Sequence, residues 1–380
     1  MRSIESLPCD EHAAHPDDLF MSLELGDKRW KLSIGDGHHR ASRYDVAAGE
    51  VEAVAKCIET TRARLKTPHD ASVHSCYEAG RDGWWLHRRL TQVGVDNIVV
   101  DASSIEVNRR ARRAKTDRLD AEKLRTMLLR HHSGEHVWSI LREPTEQDED
   151  ARRVHRELQR LMHERTSHIN RIRALLLLHN LRPEVIVVGR DWQGWWDKYN
   201  GQIPLKLRQE IEREIARLKL VKDQIRAIEL ARRHELADGQ HPMVAQLARL
   251  GAIGPKGAWV LVHEVFGWRR FANRRELAGC LGLAPTPYAS GDSQTEQGIS
   301  KVGNKRVRAL LVELAWGWLR RQPDSGLTLW FKRRFAHAGA RMRRVGIVAL
   351  ARRIAIAMWR FLQNGEVPLG ARLKTAPQSS

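Results

Sequence analysis

Hydrophobic and polar positions follow three different patterns along the 380-residue chain. Between residues 19 and 130, short apolar runs typical of strands alternate with amphipathic stretches typical of helices. Leu19–Leu25 is predicted to be a buried strand that ends at Gly26, and Trp30–Ile34 its hairpin partner. The same pattern predicts strands near 41–46, 72–77 and 97–101, and helices over 50–65, 84–93 and 117–129. This order of elements indicates a mixed α/β sheet with helices on its faces.

The pattern changes between residues 143 and 238. Apolar residues recur at a spacing of three or four from Val154 to Leu176 and again from Ile211 to Ile228, and charges flank both stripes. Such stripes predict two long helices that pair as a hairpin or across subunits. Two amphipathic helices packed on a separate core fit the pattern equally well. The tryptophan-rich segment 192–196 is either a surface on which bases stack or, as is more common, part of a core or subunit contact.

The remaining chain is helical in pattern and is punctuated by glycine and proline. We therefore expect an α/β domain over 15–140, a coiled-coil helical connector over 143–238 and an all-α domain over 242–369. The apolar stretch Val345–Leu362 is interrupted by arginines, which favours a buried helix over a membrane span. The N-terminus lacks the apolar segment of a signal peptide, so the cytoplasm is the expected compartment.

Charge narrows the choice of partners. Lys and Arg number 65 against 46 Asp and Glu, a formal net charge of +19. An excess of this size favours a polyanionic partner, because phosphates bound by Lys or Arg release condensed counterions. The four cysteines form no CxxC pair and the 18 histidines form no HExxH motif. A disulfide framework and a structural zinc site are therefore not expected.

Four carboxylates lie at predicted strand ends and at a helix start. Glu24 lies in the first predicted strand, where a buried carboxylate is costly unless it is paired or binds a metal. Glu78 directly follows a later strand, and Asp117 and Asp120 lie three residues apart on one helix face. Each acid alone is more often a cap or a surface charge. Together they favour a nuclease-like RNase H/RuvC site, because oxygen ligands suit Mg²⁺ or Mn²⁺, which assist phosphoryl transfer.

Two glycine-rich segments of the helical region carry candidate nucleic-acid contacts. Leu250–Ala258 resembles a helix-hairpin-helix loop, in which Gly254 and nearby backbone N–H groups hold a phosphate and Lys256 adds charge. Ser290 lies in a Pro- and Gly-rich loop, a setting in which a Ser-Gly pair is usually a turn. The basic residues expected to bind phosphate after it are Lys301, Lys305 and Arg306. A nucleophilic serine needs activation and charge stabilisation, and the sequence shows no recognisable His/Asp triad for it.

Taken in order, these motifs resemble the insertion sequence 110 family of transposases over about residues 19–365. The segments similar to the family's DEDD acids are Glu24, Tyr77–Gly80 and Lys115–Ala121. The segments similar to its C-terminal transposase domain are Gly251–Pro255, Gly282–Pro285, Ser290-Gly291 and Ser300–Asn304. The resemblance implies a RuvC-like (RNase H-like) N-terminal domain and a recombinase of a bacterial mobile element.

The resemblance also implies a mechanism. Ser290 would form a covalent phosphoserine link to DNA, while Glu24, Glu78, Asp117 and Asp120 would hold Mg²⁺. A non-coding bridge RNA would pair with donor and target DNA, and the coiled coil would hold the subunits of a dimer or tetramer together. The protein would act at the nucleoid, and no membrane partner is expected. One departure concerns the first acid, which is Asp in the family and Glu24 here. Asp27, in the turn after the first strand, is the alternative ligand.

Two other functions stay open from the residues alone. A RuvC-like metal-dependent nuclease or Holliday-junction resolvase would cut with activated water and would not need Ser290. A basic nucleic-acid-binding protein without catalysis would bind DNA with steep salt dependence and form no covalent adduct.

Overall fold

The computed structural model of the chain describes residues 17–80, 83–102, 104–105, 117–290, 293–300 and 303–374. Within these ranges, the side chains of residues 117–119 and 286–297 lie outside the description. The chain divides into two compact units, Met1–Glu143 and Pro144–Ser380. None of the described helices is both long enough and apolar enough to cross a membrane.

The first unit is built on a five-stranded sheet with the order β3-β2-β1-β4-β5. Its strands are β1 (Leu19–Leu25), β2 (Arg29–Gly35), β3 (Ser42–Ala47), β4 (Val73–Glu78) and β5 (Asp96–Val100). Its helices are α1 (Val51–Leu65), α2 (Trp85–Gln92) and α3 (Asp117–His132). Strand β2 runs antiparallel to β1 and β3, whereas β1, β4 and β5 are parallel. The predicted mixed α/β sheet is confirmed.

Alternation along β1 explains how the sheet is covered on both faces, since successive side chains of a strand point to opposite sides. Leu19, Met21 and Leu23 join a core cluster with residues of α1 and α2. Phe20 joins a second cluster with residues of α3. On that second face, the Ser22 hydroxyl donates a hydrogen bond to the backbone carbonyl of Ala121 in α3. Helix α3 therefore lies over the even-numbered side chains of β1.

The second unit begins with two long helices, α4 (Glu146–Leu177) and α6 (Leu205–Ala237), which pack against each other. A capping box at Thr145 satisfies N–H groups at the start of α4. Between them lies α5 (Trp192–Tyr199), whose Trp192 and Trp196 are buried in the hairpin core. The helices therefore pair within the chain, and the core alternative for this tryptophan segment is confirmed.

Within the described residues, the rest of the second unit consists of helices, their connecting loops and one β-hairpin. Its helices are α7 (Pro242–Ala248), α8 (Pro255–Leu261), a π-helical turn (Val262–Phe266), α9 (Arg274–Cys280), α10 (Lys305–Arg321), α11 (Gly326–Phe335) and α12 (Ala340–Asn364). Strands β6 (Pro285–Ser290) and β7 (Ser293–Ile299) pair antiparallel, so the expectation of an all-α region is wrong at this point. Prolines at 285 and 287 disfavour a helix there and are tolerated in an edge strand.

Candidate active site and arginine groove

Glu24 and Glu78 lie side by side at one edge of the sheet. Strands β1 and β4 are parallel, and the last paired residues, Leu23 and Tyr77, directly precede the two acids. Glu24 shares its face of β1 with Ser22, and Glu78 shares its face of β4 with Cys76. Because Ser22 and Cys76 are register partners, both acids point to the side that α3 covers. Glu24 is half-buried and Glu78 is exposed.

Helix α3 brings a third predicted acid towards this edge. Asp120 is half-buried and directly precedes Ala121, whose carbonyl accepts the Ser22 hydrogen bond. Asp117 is the first residue of the helix, and its side chain lies outside the described residues. Asp27 follows β1 in the turn to β2 and is exposed. Carboxylates from two neighbouring strands and one helix are the hard oxygen donors that Mg²⁺ prefers. Among the described side chains, however, Glu24, Glu78 and Asp120 do not place one ligand atom each within 4.8 Å of the other two.

The backbone places Ser290 at the last position of β6, where it pairs with Ser293 of β7. The Ser290 side chain lies outside the described residues, and so does the whole of Lys301. At the base of the hairpin, the Ser300 N–H donates to the Ala284 carbonyl at 2.9 Å. Residues on either side of the hairpin are therefore joined directly to each other.

The predicted helix-hairpin-helix loop joins α7 to α8, as expected from its glycines. Gly254 is the N-cap of α8, which begins at Pro255. Lys256 forms an ion pair with Glu229 of α6, so its charge is offset within the protein. The Lys374 ammonium donates to the carbonyls of Ala248 and Ile253, at 2.8 and 2.6 Å. The carbonyl groups of this loop are thus bound from within the chain.

Lys305 and Arg306 begin α10 but face different surroundings. Lys305 is exposed, whereas the Arg306 guanidinium contacts Gln159 of α4 and lies 3.4 Å from a carboxylate oxygen of Glu264. Arg306 therefore already has a carboxylate partner within the protein, and its binding of phosphate stays a prediction.

Glu264 is the buried centre of a charged cluster that the sequence did not reveal. Its side chain is 1% exposed and lies in the π-helical turn, an irregularity often found at functional positions. Its oxygens accept hydrogen bonds from His155 at 2.7 Å, from Arg156 at 2.8 and 2.9 Å, and from Asn304 at 2.9 Å. Burial alone would raise the pKa of this carboxyl, but the hydrogen bonds from His155 and Arg156 hold it well below its usual value. The cluster connects α4, the π-helical turn and the start of α10.

An arginine-lined groove of about 1340 Å³ lies beside the base of the β6–β7 hairpin. Of the described residues that line it, eight are arginines, one is the acid Glu366, and three belong to the hairpin base: Pro285, Gly298 and Ile299. The arginines are Arg274, Arg275, Arg333, Arg341, Arg344, Arg352, Arg353 and Arg360. Guanidinium groups at this density favour a phosphate backbone as ligand, since each can bind phosphate through two parallel hydrogen bonds.

Helix α12 supplies five of these arginines, and three of them, Arg352, Arg353 and Arg360, lie in the stretch that the apolar pattern predicts to be a buried helix. Its opposite face, which includes Ile347, Leu350 and Ile354, is fully buried in the core of the unit. The Arg353 guanidinium lies over the Trp330 ring of α11, 4.0 Å from its centroid. The burial prediction therefore holds for one face only. The arginines recur along α12 at a spacing that places them on its other face, and this spacing is the feature of the sequence that marks the groove.

The chain matches known transposases over almost its full length. The sequence profile of the transposase IS116/IS110/IS902 family matches residues 244–354. A Sinorhizobium fredii protein named as transposase y4rJ is 39% identical, over 94% of this chain and 95% of its own length. The transposase for insertion sequence element IS1328 of Yersinia enterocolitica is 26% identical over 59% of this chain and 66% of its own. The transposase for insertion sequence element IS1111A of Coxiella burnetii is 28% identical over 54% and 57%. The predicted resemblance is confirmed: the chain belongs to the IS116/IS110/IS902 family of transposases.

Proposed function

We propose that this transposase cuts and rejoins DNA through a covalent link at Ser290, assisted by Mg²⁺ at the acidic edge of the sheet. The observation that carries the proposal is the position of Ser290 on a hairpin whose base borders the arginine groove. DNA held by its phosphates in that groove would run close to the strand that bears the serine. The arginines would then neutralise charge that develops on the attacked phosphate.

The serine step balances without any external energy source. The Ser290 Oγ forms a bond to a backbone phosphorus as the bond from that phosphorus to one deoxyribose oxygen breaks. The hydroxyl proton passes to the departing oxygen. Attack by a hydroxyl of the incoming strand reverses these changes, restoring the serine and forming the new DNA junction.

The acids would bind the metal on which the phosphate is oriented. Glu24, Glu78, Asp117 and Asp120 are the proposed ligands, and the matched positions of Glu24 and Glu78 on neighbouring strands support this assignment over Asp27. When bound, Mg²⁺ supplies positive charge to the phosphate oxygens during transfer. The strand order, with acids on the central strands β1 and β4, supports a RuvC-like domain. These acids belong to the first unit and Ser290 to the second. In a dimer or tetramer, one subunit would supply the acids and another the serine of each active site.

We further propose that a non-coding bridge RNA selects donor and target DNA in the bacterial cytoplasm, at the nucleoid. The net charge of +19 supports more than one nucleic-acid partner. Copurification of a discrete RNA with the full chain, removed by nuclease and required for recombination, tests this part. Full activity with RNA-free protein would contradict it.

The central test is to trap the protein–DNA adduct and locate its bond. Ser290→Ala should abolish both the adduct and recombination. Ser293→Ala, which removes the hydroxyl of the paired residue on β7, is the matched control and should retain both. Recombination by Ser290→Ala at the wild-type rate would refute the serine mechanism.

A second variant separates this proposal from hydrolysis by a RuvC-like nuclease. Glu78→Gln removes a proposed metal ligand at an exposed strand end and should leave the fold intact. A nuclease that uses activated water would lose cleavage in Glu78→Gln and keep it in Ser290→Ala. The serine mechanism requires that both variants lose it. A binding protein without catalysis would show salt-sensitive DNA binding and no adduct in any variant.

A further inference from the structure

A second cluster of potential ligands lies at the opposite end of strand β4 from Glu78. His74 is the second residue of β4, Asp96 the first residue of β5 and His132 the last residue of α3. One ligand atom from each residue lies within 4.8 Å of the other two. His74 and Glu78 are four residues apart on one strand, roughly 13 Å. The cluster is therefore separate from the acidic edge.

The distances within the cluster are close to those that a tetrahedral cation requires. His74 Nδ1 lies 2.8 Å from Asp96 Oδ2, and the rings of His74 and His132 are 4.2 Å apart between centroids. Ligand atoms on one zinc ion lie roughly 3–3.5 Å from each other, because each is about 2.0–2.1 Å from the metal. The ligand atoms can reach these distances if two side chains rotate: Asp96, which is 42% exposed, and His132, which is half-buried.

Asp18 provides the supporting contact that metal-bound histidines usually have. Its Oδ2 lies 3.2 Å from His74 Nε2, and its Oδ1 accepts a hydrogen bond from the Ser72 N–H at 3.0 Å. Asp18 is 5% exposed, so its position is fixed by packing. Without a metal, both ring nitrogens of His74 lie against carboxylates, Nδ1 against Asp96 and Nε2 against Asp18. A cation bound at Nδ1 would replace the Nδ1 proton while Asp18 keeps accepting from Nε2, which is the usual arrangement of a metal-bound histidine.

We propose that His74, Asp96 and His132 bind a divalent transition-metal ion, Zn²⁺ by preference, with water as the fourth ligand. Two imidazoles and one carboxylate suit Zn²⁺, whereas the all-carboxylate edge at Glu24 and Glu78 suits Mg²⁺. The ligands come from three separate elements, so no spacing motif in the sequence reveals them.

The proposed ion would tie the last turn of α3 to the ends of β4 and β5. Helix α3 carries Asp120 in its first turns, towards the acidic edge. A metal at His132 would therefore hold the helix that positions this acid. The expected consequence is a structural one: zinc raises the thermal stability of the protein whether or not DNA or Mg²⁺ is present.

The test uses the untagged full chain, stripped of metal and then titrated with Zn²⁺, or with Co²⁺ as a spectroscopic probe. We expect one tightly bound ion per chain, a tetrahedral Co²⁺ absorption spectrum and a higher unfolding temperature with Zn²⁺. His132→Gln and Asp96→Asn should both lose the stoichiometric ion and the temperature increase. Both positions are partly exposed, and circular dichroism checks that the variants fold.

Two controls separate this site from other zinc ligands and from the acidic edge. His69→Gln removes an imidazole that is 93% exposed, and Glu78→Gln removes a carboxylate of the other edge. Both should bind Zn²⁺ as the wild type does. The proposal is overturned if the wild-type chain binds no stoichiometric Zn²⁺, or if His132→Gln and Asp96→Asn bind it unchanged.

Discussion

Replacing Glu264 with glutamine should destabilise the second unit by about 3 kcal/mol. The amide has nearly the same size, so the change removes the charge without opening a cavity. One oxygen becomes an NH₂ group, which then faces donors from Arg156 or His155 in place of accepting from them. Breaking one side of a buried ion pair costs about 3–5 kcal/mol. Arg156 is 47% exposed and can turn towards water, whereas His155 is 1% exposed and cannot, which favours the lower end of that range.

Urea unfolding of the full chain, followed by circular dichroism, measures this loss. With an m value of about 3 kcal/mol per molar urea, the midpoint of the affected transition should fall by about 1 M. Glu229→Gln is the matched control, because it breaks the more exposed ion pair with Lys256 and should cost less than about 1 kcal/mol. Equal midpoints for Glu264→Gln and Glu229→Gln would refute the reasoning.

Acid should reduce the difference between wild type and Glu264→Gln. The folded-state pKa of Glu264 lies well below its unfolded value of about 4.3, so the unfolded chain binds a proton first as pH falls. The stabilisation from the carboxylate is therefore complete above the unfolded-state pKa of about 4.3 and decreases as the pH falls below it. A constant difference from pH 7 down to pH 3 would contradict this account of the cluster.

Three further predictions follow from other parts of the second unit. Gly346→Ala places a Cβ 2.6–2.9 Å from an aromatic ring and should cost about 1–3 kcal/mol in urea unfolding, whereas Gly317→Ala, with open space around it, should stabilise α10 by up to about 1 kcal/mol. Burial, aided by His241 and His155, lowers the pKa of His263 to about 4, so stability should fall as pH drops from about 6.5 to 4, and His263→Gln should flatten that part of the unfolding profile. Arg352→Ala should weaken DNA binding and reduce the salt slope by about 1 in a titration, while the exposed groove-external Arg320→Ala should do neither.

The sheet could be predicted from the sequence because its signals are local. Alternation in β1 and the turn at Gly26 set the first hairpin, and the observed bounds of β1 are the predicted ones. The β6–β7 hairpin was not predicted, because Pro285–Ser290 and Ser293–Ile299 contain few apolar residues and show no alternation. The two strands are held together by backbone hydrogen bonds, which leave no trace in the pattern of side chains.

The candidate site divides in the same way. Glu24 and Glu78 were predicted from local features, a carboxylate within an apolar strand and a carboxylate at the end of a later strand. The arginine groove was not found, because its residues come from α9, α11 and α12 and meet only when these helices pack. The ion pair of Lys256 was not predicted either, since its partner Glu229 lies 27 residues earlier on another helix. Partners that are distant along the chain decide which basic residues are available.

The Ser300–Asn304 motif illustrates how a segment that suggests phosphate binding also serves the fold. Gly303 has a φ of +91°, and a Cβ there would collide with the Cys280 carbonyl, so glycine is required by backbone geometry. The Asn304 side chain accepts hydrogen bonds from the N–H groups of Arg306 and Val307, which caps α10, and its amide donates to Glu264. The start of α10, which Asn304 caps, is therefore tied to the buried carboxylate of the π-helical turn.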